Sequence, residues 1–360
     1  MPGRSDAPVA HEQDRRTVDG VTVRRLRWSV GYGPDTTGWL VRPVEADPDQ
    51  PLPGVLGLHC HGGVRSVGGE QLVDAGPAGG ARAARLRTQW YDGRAPANDL
   101  ARRGFAVLVH DAFSWGSRRF DLSHPTPRLA AQLAAHEARW RELAVPPDAD
   151  ERFDVLSNLH EDTLAKAAGV LGQTFAGLVL ADDLAALAVL AADPGTDRDR
   201  LGSFGFSGGG GRGLLLAALD HRVRAAVVSC MMATSASLVP HHLDSHSWLL
   251  HVPGLASWRD WPDLTALGRA RFLVQYREDD ELFPLAGMRA AHARLRELHA
   301  EGDRYRGTTW SGGHAFDRPM QDEAWDFLRS ALCGDGVVAG AASAPLKSAS
   351  STRKRFLDPS

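Results

Sequence analysis

Short apolar runs alternate with helical segments along most of this 360-residue sequence. The strand-like segments span residues 54–60, 105–111, 201–206, 224–230, 271–276 and 304–310, and all but the last are mainly apolar. Segments with helical periodicity or helix-boundary residues span 96–103, 174–193, 208–220, 285–300 and 320–332. Apolar strands separated by helices are typical of βαβ units, in which helices cover a parallel sheet. The alternation therefore predicts an α/β fold with a mostly parallel sheet flanked by helices.

Two earlier segments differ from this alternation because no helix separates them. Residues 21–28 and 37–41 are rich in β-branched side chains and are joined across a Gly-Tyr-Gly-Pro turn at 31–34. Such a connection predicts an antiparallel pair of strands, which would form the N-terminal edge of the sheet.

Two connections are longer than a crossover between parallel strands requires. Residues 112–173 and 231–270 are therefore predicted to be lid-like insertions over the functional site. The remaining sequence predicts a single domain over residues 17–333. We expect residues 1–16 to form a flexible arm, and the polar, Ser/Ala-rich residues 334–360 to form a disordered tail.

Charge and cysteine content exclude several classes of protein. The chain has 41 basic and 44 acidic residues, a formal net charge of −3, and so lacks the basic character of a nucleic-acid-binding protein. Its three cysteines are too few for a disulfide framework, which predicts a reducing, cytoplasmic location. No membrane partner is expected, because the most apolar stretch, 176–192, contains Asp182 and Asp183. The first 16 residues lack the apolar core of a signal peptide. The oligomeric state is not predicted.

A serine stands at the turn between a predicted strand and a predicted helix. Residues 205–209 read Gly-Phe-Ser-Gly-Gly, which matches the pattern G-x-S-x-G. In this arrangement the serine occupies a sharp turn that projects its hydroxyl, and the flanking glycines avoid clashes. The alternative, a phosphate-binding glycine loop, would need a Lys-Ser/Thr pair that does not follow here. We therefore predict that Ser207 is a nucleophile.

A serine hydroxyl needs a general base to become an effective nucleophile. On folds with this turn, the acid and then the histidine follow the serine along the chain. His314 lies in the loop after the last predicted strand, from which it can reach Ser207. The other late histidines, His292 and His299, fall on a predicted helix, so His314 is the predicted base.

The acid that orients this base is expected just after the strand at residues 271–276. Four carboxylates follow that strand, Glu278, Asp279, Asp280 and Glu281. We predict that Asp280 is the orienting acid, with Asp279 as the alternative.

Two backbone N–H groups usually stabilise the oxyanion that forms when a nucleophile attacks a carbonyl group. The residue after the nucleophile, Gly208, is the first expected donor. The loop after the strand at 54–60 contains His-Gly-Gly, and its glycines can turn their N–H groups toward a substrate. Either Gly62 or Gly63 is therefore the second predicted donor, and the sequence does not separate them.

Other polar and aromatic clusters were considered for binding. Phe113 and Trp115 follow a strand end and are predicted to line a substrate site. His242 and His246 have the spacing of a helical metal pair, but the first histidine lacks the adjacent glutamate of H-E-x-x-H, so we predict no metal.

With these residues placed, the chain resembles the α/β-hydrolase superfamily, and within it the bacterial dienelactone-hydrolase-like and acetyl-xylan-esterase-like branch. The resemblance covers roughly residues 53–332. It rests on motifs at residues 59–63, 158–164, 181–183, 205–210, 218–220, 253–255, 262–264, 282–284 and the loop of His314. The four-residue spacing between Asp280 and Pro284 is that of the acid in this superfamily.

The resemblance implies a serine hydrolase that cleaves a small-molecule carboxylic ester through an acyl-enzyme, without a metal or organic cofactor. Ser207 stands where dienelactone hydrolases have a cysteine, which argues against dienelactone itself as the substrate. The lack of an export signal argues against a polysaccharide. An acyltransferase or a peptidase could use the same residues. A non-catalytic binding module is disfavoured because Ser207, Asp280 and His314 are all present.

Overall fold

One mixed β-sheet organises the chain. The computed structural model describes residues 7–47, 49–76 and 80–334, and its nine strands in those residues form a single sheet. The strands are β1 (His11–Val18), β2 (Val21–Trp28), β3 (Thr36–Pro43), β4 (Leu52–Leu58), β5 (Ala106–His110), β6 (Thr196–Phe206), β7 (Val223–Ser229), β8 (Arg271–Arg277) and β9 (Tyr305–Trp310). Their order is β1-β2-β3-β5-β4-β6-β7-β8-β9. The pairs from β5 to β9 are parallel and those from β1 to β5 are antiparallel, so the predicted mostly parallel sheet with an antiparallel N-terminal edge is confirmed.

Helices cover both faces of this sheet. The helices are α1 (Ala81–Trp90), α2 (Pro96–Arg102), α3 (Pro127–Glu142), α4 (Ala149–Val170), α5 (Phe175–Ala192), α6 (Gly208–Leu219), α7 (Ser235–Leu238), α8 (Leu255–Trp258), α9 (Leu285–Leu298) and α10 (Arg318–Cys333). Neighbouring residues of the buried strands serve opposite faces: Leu108 packs with the core under α5, α6 and α9, whereas Val107 and Val109 pack with the core under α2 and α10. Strands apolar on both faces are expected in a sheet covered on both sides.

The predicted flexible arm at residues 1–16 is wrong for residues 11–16. These residues belong to β1, which pairs with β2 from His11 opposite Arg27 to Val18 opposite Val21. The outermost strand is therefore β1, beyond the two strands that the sequence predicted as the edge. Its side chains are exposed or half-buried throughout, so it has no apolar face to give an alternating pattern.

The two long connections carry helices of their own. Residues 112–173 contain α3 and α4, and residues 231–270 contain α7, α8 and a 3₁₀ helix at Trp261–Ala266. We call them the first and the second insertion. The tail predicted at 334–360 lies outside the described residues, apart from Gly334.

Helix α5 is the most apolar helix in the described part of the chain. By length and hydropathy it could cross a membrane, but 56% of it is buried within the protein, as in a core helix. Its two carboxylates are paired with buried arginines, Asp182 with Arg118 and Asp183 with Arg212. The apolar character of α5 therefore follows from its place between β4, β6 and α6.

Candidate active site

Ser207 occupies the turn between β6 and α6. Its backbone has φ 56° and ψ −126°, in the left-handed half of conformational space that a residue with a side chain rarely adopts. The turn is held at both sides, because the N–H of Ser207 donates to the carbonyl of Ser229 at 2.8 Å and its own carbonyl accepts from Gly210 at 2.8 Å. Strain of this kind is characteristic of functional turns.

The two flanking glycines of the motif are required by space. A Cβ atom at Gly205 would lie 2.1 Å from the carbonyl oxygen of Gly209, and one at Gly209 would lie 2.0 Å from that of Leu58. Both distances are far inside van der Waals contact, so only glycine fits. The backbone packing therefore excludes side chains at Gly205 and Gly209, as the sequence predicts.

His314 and Asp280 are brought together from different loops. The Nδ1 atom of His314 lies 2.7 Å from Oδ2 of Asp280, whose side chain is fully buried. Because a carboxylate can only accept, Nδ1 of His314 carries the proton and Nε2 is left as the basic nitrogen. The other oxygen of Asp280 accepts from the N–H of Leu282 at 2.9 Å, which fixes the carboxylate.

Asp279, the alternative acid, has a different partner. Its Oδ2 accepts from the N–H of Gly312 at 3.0 Å, two residues before the histidine. The structure therefore joins Asp280 to the ring of His314 and Asp279 to the backbone of its loop.

Five of the predicted site residues share one cavity. Ser207, His314, Gly62, Gly63 and Gly208 all line a cavity of about 300 Å³. The ring of His314 packs against Phe206, with ring centroids 4.6 Å apart, which places the imidazole beside the residue that precedes Ser207. The arrangement has a hydroxyl, a buried acid–imidazole pair and a glycine loop at one concave surface.

The glycine loop after β4 presents a donor that sequence reasoning missed. Gly62 and Gly63 both have positive φ, 59° and 64°. The N–H of Gly63 donates to Nδ1 of His61 at 3.1 Å and is therefore already used. A Cβ atom on Gly208 would lie 3.3 Å from the backbone nitrogen of His61, so this amide stands beside the start of α6.

The imidazole of His61 is neutral. Burial and the neighbouring Arg65 both lower its pKa well below the ordinary value for histidine. Since Nδ1 accepts from Gly63, Nε2 carries the proton, and it donates to Oε2 of Glu161 at 3.0 Å.

Glu161 joins three distant parts of the chain and was not singled out from the sequence. Its Oε2 also forms an ion pair with Arg65, which is 1% exposed, and its Oε1 accepts from the backbone N–H of Trp248 at 2.7 Å. Glu161 lies on α4 in the first insertion, and Trp248 lies in the second. No local pattern could reveal these contacts, because they span 100 residues to His61 and 87 to Trp248.

Phe113 and Trp115, the predicted substrate contacts, are not brought into the cavity. Trp115 is 1% exposed and packs behind His61, with ring centroids 5.3 Å apart, and under the guanidinium of Arg65 at 4.0 Å. Phe113 packs against Phe175 of α5. Trp115 therefore packs against the glycine loop through His61, and Phe113 packs against α5.

The described residues contain no group of three or more His, Cys, Asp or Glu side chains arranged to hold a metal. Of the histidine pair considered for metal binding, His246 lines the cavity and its Nε2 lies 3.0 Å from the carbonyl oxygen of Leu282. Cys60 also lines the cavity, but burial raises its pKa to about 11, so the thiol is protonated and a poor nucleophile.

The sheet order, the strained serine between β6 and α6, and the long insertions define an α/β-hydrolase fold. Comparison with known proteins supports this class, although no family model matches the sequence. The curated protein "Putative hydrolase YtaP" of Bacillus subtilis (strain 168) is 24% identical over 299 residues, which cover 82% of this chain and 83% of that protein.

Solved structures show the same fold. A "putative acetyl xylan esterase" from Bacteroides fragilis NCTC 9343 superposes with a TM-score of 0.62 at 15% identity, over 84% of this chain and 69% of that one. Acetyl xylan esterase 1 from Thermoanaerobacterium sp. JW/SL YS485 superposes with a TM-score of 0.52 at 16% identity, over 90% and 87%. The α/β-hydrolase fold predicted from the sequence is confirmed.

Proposed function

We propose that the protein is a carboxylic-ester hydrolase in which Ser207 is the nucleophile, His314 the general base and Asp280 the acid that orients it. The observation that carries the proposal is the 2.7 Å contact between His314 and Asp280 at the cavity that also contains the strained Ser207. The similar proteins described above, a putative hydrolase and two acetyl xylan esterases, support the same reaction class.

The reaction begins with a proton transfer from the hydroxyl of Ser207 to Nε2 of His314. The serine oxygen forms a bond to the ester carbonyl carbon, and the carbonyl electrons move to its oxygen. When this intermediate collapses, the bond to the alcohol oxygen breaks, and His314 returns the proton to that oxygen. Water then repeats the sequence on the acyl-enzyme, releasing the acid and restoring Ser207. Asp280 stays ionised and stabilises the imidazolium in each half.

The negative oxygen of each intermediate needs two donors. We assign one to the N–H of Gly208, at the N-terminus of α6, where the helix dipole also favours negative charge. For the second we prefer the N–H of His61 to that of Gly63, because Gly63 already donates to the His61 ring. Gly62 remains the alternative from the sequence. Removal of one such donor costs about 10²–10³ in rate.

A cytoplasmic location and a small-molecule partner form part of the same proposal. All three cysteines are free thiols in the structure, as expected of a cytoplasmic protein. The partner is a small-molecule ester, and no residue is assigned to a metal or an organic cofactor.

The experiment is the Ser207→Ala variant assayed on 4-nitrophenyl acetate, with labelling by a fluorophosphonate. We expect kcat to fall by about 10⁴–10⁶ and labelling to disappear, because the variant has no nucleophilic oxygen. The matched control is Ser245→Ala, a serine on the rim of the same cavity, which should retain labelling. Full activity of Ser207→Ala would contradict the proposal. Addition of an alcohol acceptor to the assay separates hydrolysis from acyl transfer.

A further inference from the structure

The cavity around Ser207 contains no formally charged side chain. None of its described lining residues is an aspartate, glutamate, lysine or arginine, although the chain contains 41 basic residues. Two buried carboxylates contact the lining histidines, Glu161 at His61 and Asp280 at His314, and both are already paired, Glu161 with Arg65 and Asp280 with the His314 ring. An anionic or cationic substrate group would lose its hydration there without meeting a counter-charge, which is costly. The lining therefore favours an uncharged ester.

Three titratable side chains of the cavity, His61, His246 and Cys60, are also neutral near pH 7. Burial lowers the pKa of His246 to about 4. The pKa of His61 is lowered well below its ordinary value, and that of Cys60 is raised to about 11. None of these groups supplies the charge that the lining lacks.

The side of the cavity near His314 is aromatic. Besides Phe206, the rings of Trp90 and Phe283 lie with centroids 6.1 Å and 6.2 Å from that of His314. Because His314 must hand its proton to the departing alcohol oxygen, the alcohol part of the ester lies on this side. Trp90 and Phe283 are thus placed to contact the leaving group.

The part of the cavity at the start of α6 is aliphatic. A Cβ atom on Gly208 would lie 3.1 Å from Cδ2 of Leu249, and one on Gly210 would lie 2.9 Å from Cγ of Met231. Because the rings beside His314 are assigned to the alcohol, we assign these aliphatic side chains at the oxyanion donor Gly208 to the acyl half of the substrate. The volume of about 300 Å³ is at the small end of the range for ligand sites, so the acyl group is short.

We propose that the substrate is an uncharged ester of a short aliphatic acid with an aromatic alcohol. This inference rests on the proposed function, because the acyl and alcohol sides are defined by the roles of Gly208 and His314. In this substrate the acyl chain contacts the aliphatic side chains, and the alcohol contacts the rings of Trp90 and Phe283.

The first test compares benzyl butyrate with cyclohexylmethyl butyrate, two esters of primary alcohols that differ in whether the ring is aromatic. We expect kcat/KM to be about threefold to tenfold higher for the benzyl ester, from ring–ring contact beyond simple burial. In Trp90→Leu and Phe283→Leu this ratio should fall toward one. The ratio is internal to each variant, so a general loss of activity does not alter it.

The second test compares benzyl methyl succinate with benzyl hydrogen succinate by release of benzyl alcohol. We expect the free carboxylate to lower kcat/KM by about 100-fold or more, because no cation faces it. Ser245→Arg places a guanidinium at the rim and should raise kcat/KM for the carboxylate ester about threefold to tenfold. Ser257→Arg, in the same insertion but not on the cavity, should leave it unchanged.

The outcomes separate this inference from the proposed function. If no ester is hydrolysed and Ser207 is not labelled, the proposed function is wrong and the substrate class falls with it. If the esters are hydrolysed but the cyclohexylmethyl ester is equal or better, or the free carboxylate is preferred, the function stands and the substrate class is overturned.

Discussion

Asp280 and Asp279 are consecutive carboxylates with different partners, and this difference decides what each can do. Asp280 contacts the ring of His314, whereas Asp279 contacts only the backbone of Gly312. A carboxylate on the ring fixes which nitrogen carries the proton and stabilises the imidazolium that forms during the reaction. A carboxylate that contacts only the loop backbone can affect the position of the histidine but not its protonation.

We expect Asp280→Asn to lower kcat by about 10⁴, because the amide can donate to Nδ1 and so favours the wrong tautomer of His314. Asp279→Asn is the matched control. Its amide oxygen can still accept from Gly312, so we expect less than about a tenfold loss. Steady-state kinetics on 4-nitrophenyl acetate check both, and equal losses in the two variants would remove the distinction between the two acids.

At the scale of elements, Glu161 holds the first insertion, the second insertion and the glycine loop together. It binds the ring of His61, the guanidinium of Arg65 and the backbone of Trp248 with one carboxylate. The second insertion has another attachment, the contact of His246 with the carbonyl of Leu282, two residues after Asp280. The residues that close the cavity are thus tied to both the proposed oxyanion loop and the acid loop.

Glu161 is therefore expected to act as a positioning residue. Glu161→Gln removes the charge that Arg65 and His61 share, and misplacement of the His61 amide should lower kcat by about tenfold to 100-fold with a smaller change in KM. The neighbouring Asp162→Asn, which loses only an exposed pair with Lys166, should leave both constants within about twofold. An increase in KM with unchanged kcat would assign Glu161 to binding alone.

Glu161→Gln is also expected to lower the free energy of unfolding, because Arg65 would be left buried without its partner. This loss of stability must be measured separately from the loss of kcat. Losing one member of a buried pair costs about 3–5 kcal/mol. The double variant Glu161→Gln/Arg65→Met removes the orphaned charge and should regain part of that stability in urea unfolding. Its kcat should stay low, since the single amide oxygen of glutamine cannot accept from both the His61 ring and the N–H of Trp248. Recovery of kcat together with stability would point to a purely structural role.

The sequence predicts features that are specified by neighbouring residues, and it does not predict contacts between segments that are far apart in the chain. Ser207 and its flanking glycines are specified by five consecutive residues, and strands β4 to β8 contain apolar runs. Strand β1 was missed because it is charged on both faces and stabilised by its pairing with β2. The contacts of Glu161 join segments far apart in the chain, so they depend on the completed fold.

At the scale of the whole molecule, a buried ion pair joins the main elements beneath the cavity. Arg212 of α6 donates to Asp183 of α5 at 2.6 Å and 3.0 Å, and to the carbonyl of His59 after β4 at 3.0 Å. His110 at the end of β5 contacts the same carboxylate at 3.0 Å. Arg212 and Asp183 are both almost completely buried, so neither charge is solvated. The turn at Ser207 therefore rests on a charge pair that the fold must keep intact.

This pair makes stability depend on pH in a defined direction. Burial alone would raise the pKa of Asp183, but Arg212 and His110 outweigh it and lower the pKa to about 2, against 3.8 ordinarily. A carboxyl group with a depressed folded-state pKa stabilises the protein fully above about pH 4, and loses this contribution as pH falls toward 2. The difference between these two pKa values corresponds to about 2 kcal/mol of stability.

Asp183→Asn should therefore lower the free energy of unfolding at pH 7 by about 3–5 kcal/mol, because Arg212 is left uncompensated. Below pH 4 the gap between wild type and variant should narrow, since only the wild type loses the contribution of this carboxylate. Urea unfolding from pH 7 to pH 3 measures both effects. Glu137→Gln, which breaks an exposed pair with Arg152, should change stability by less than about 0.5 kcal/mol at every pH. A gap that stays constant with pH would mean that Asp183 titrates alike in the folded and unfolded chain, and that Arg212 does not set its protonation.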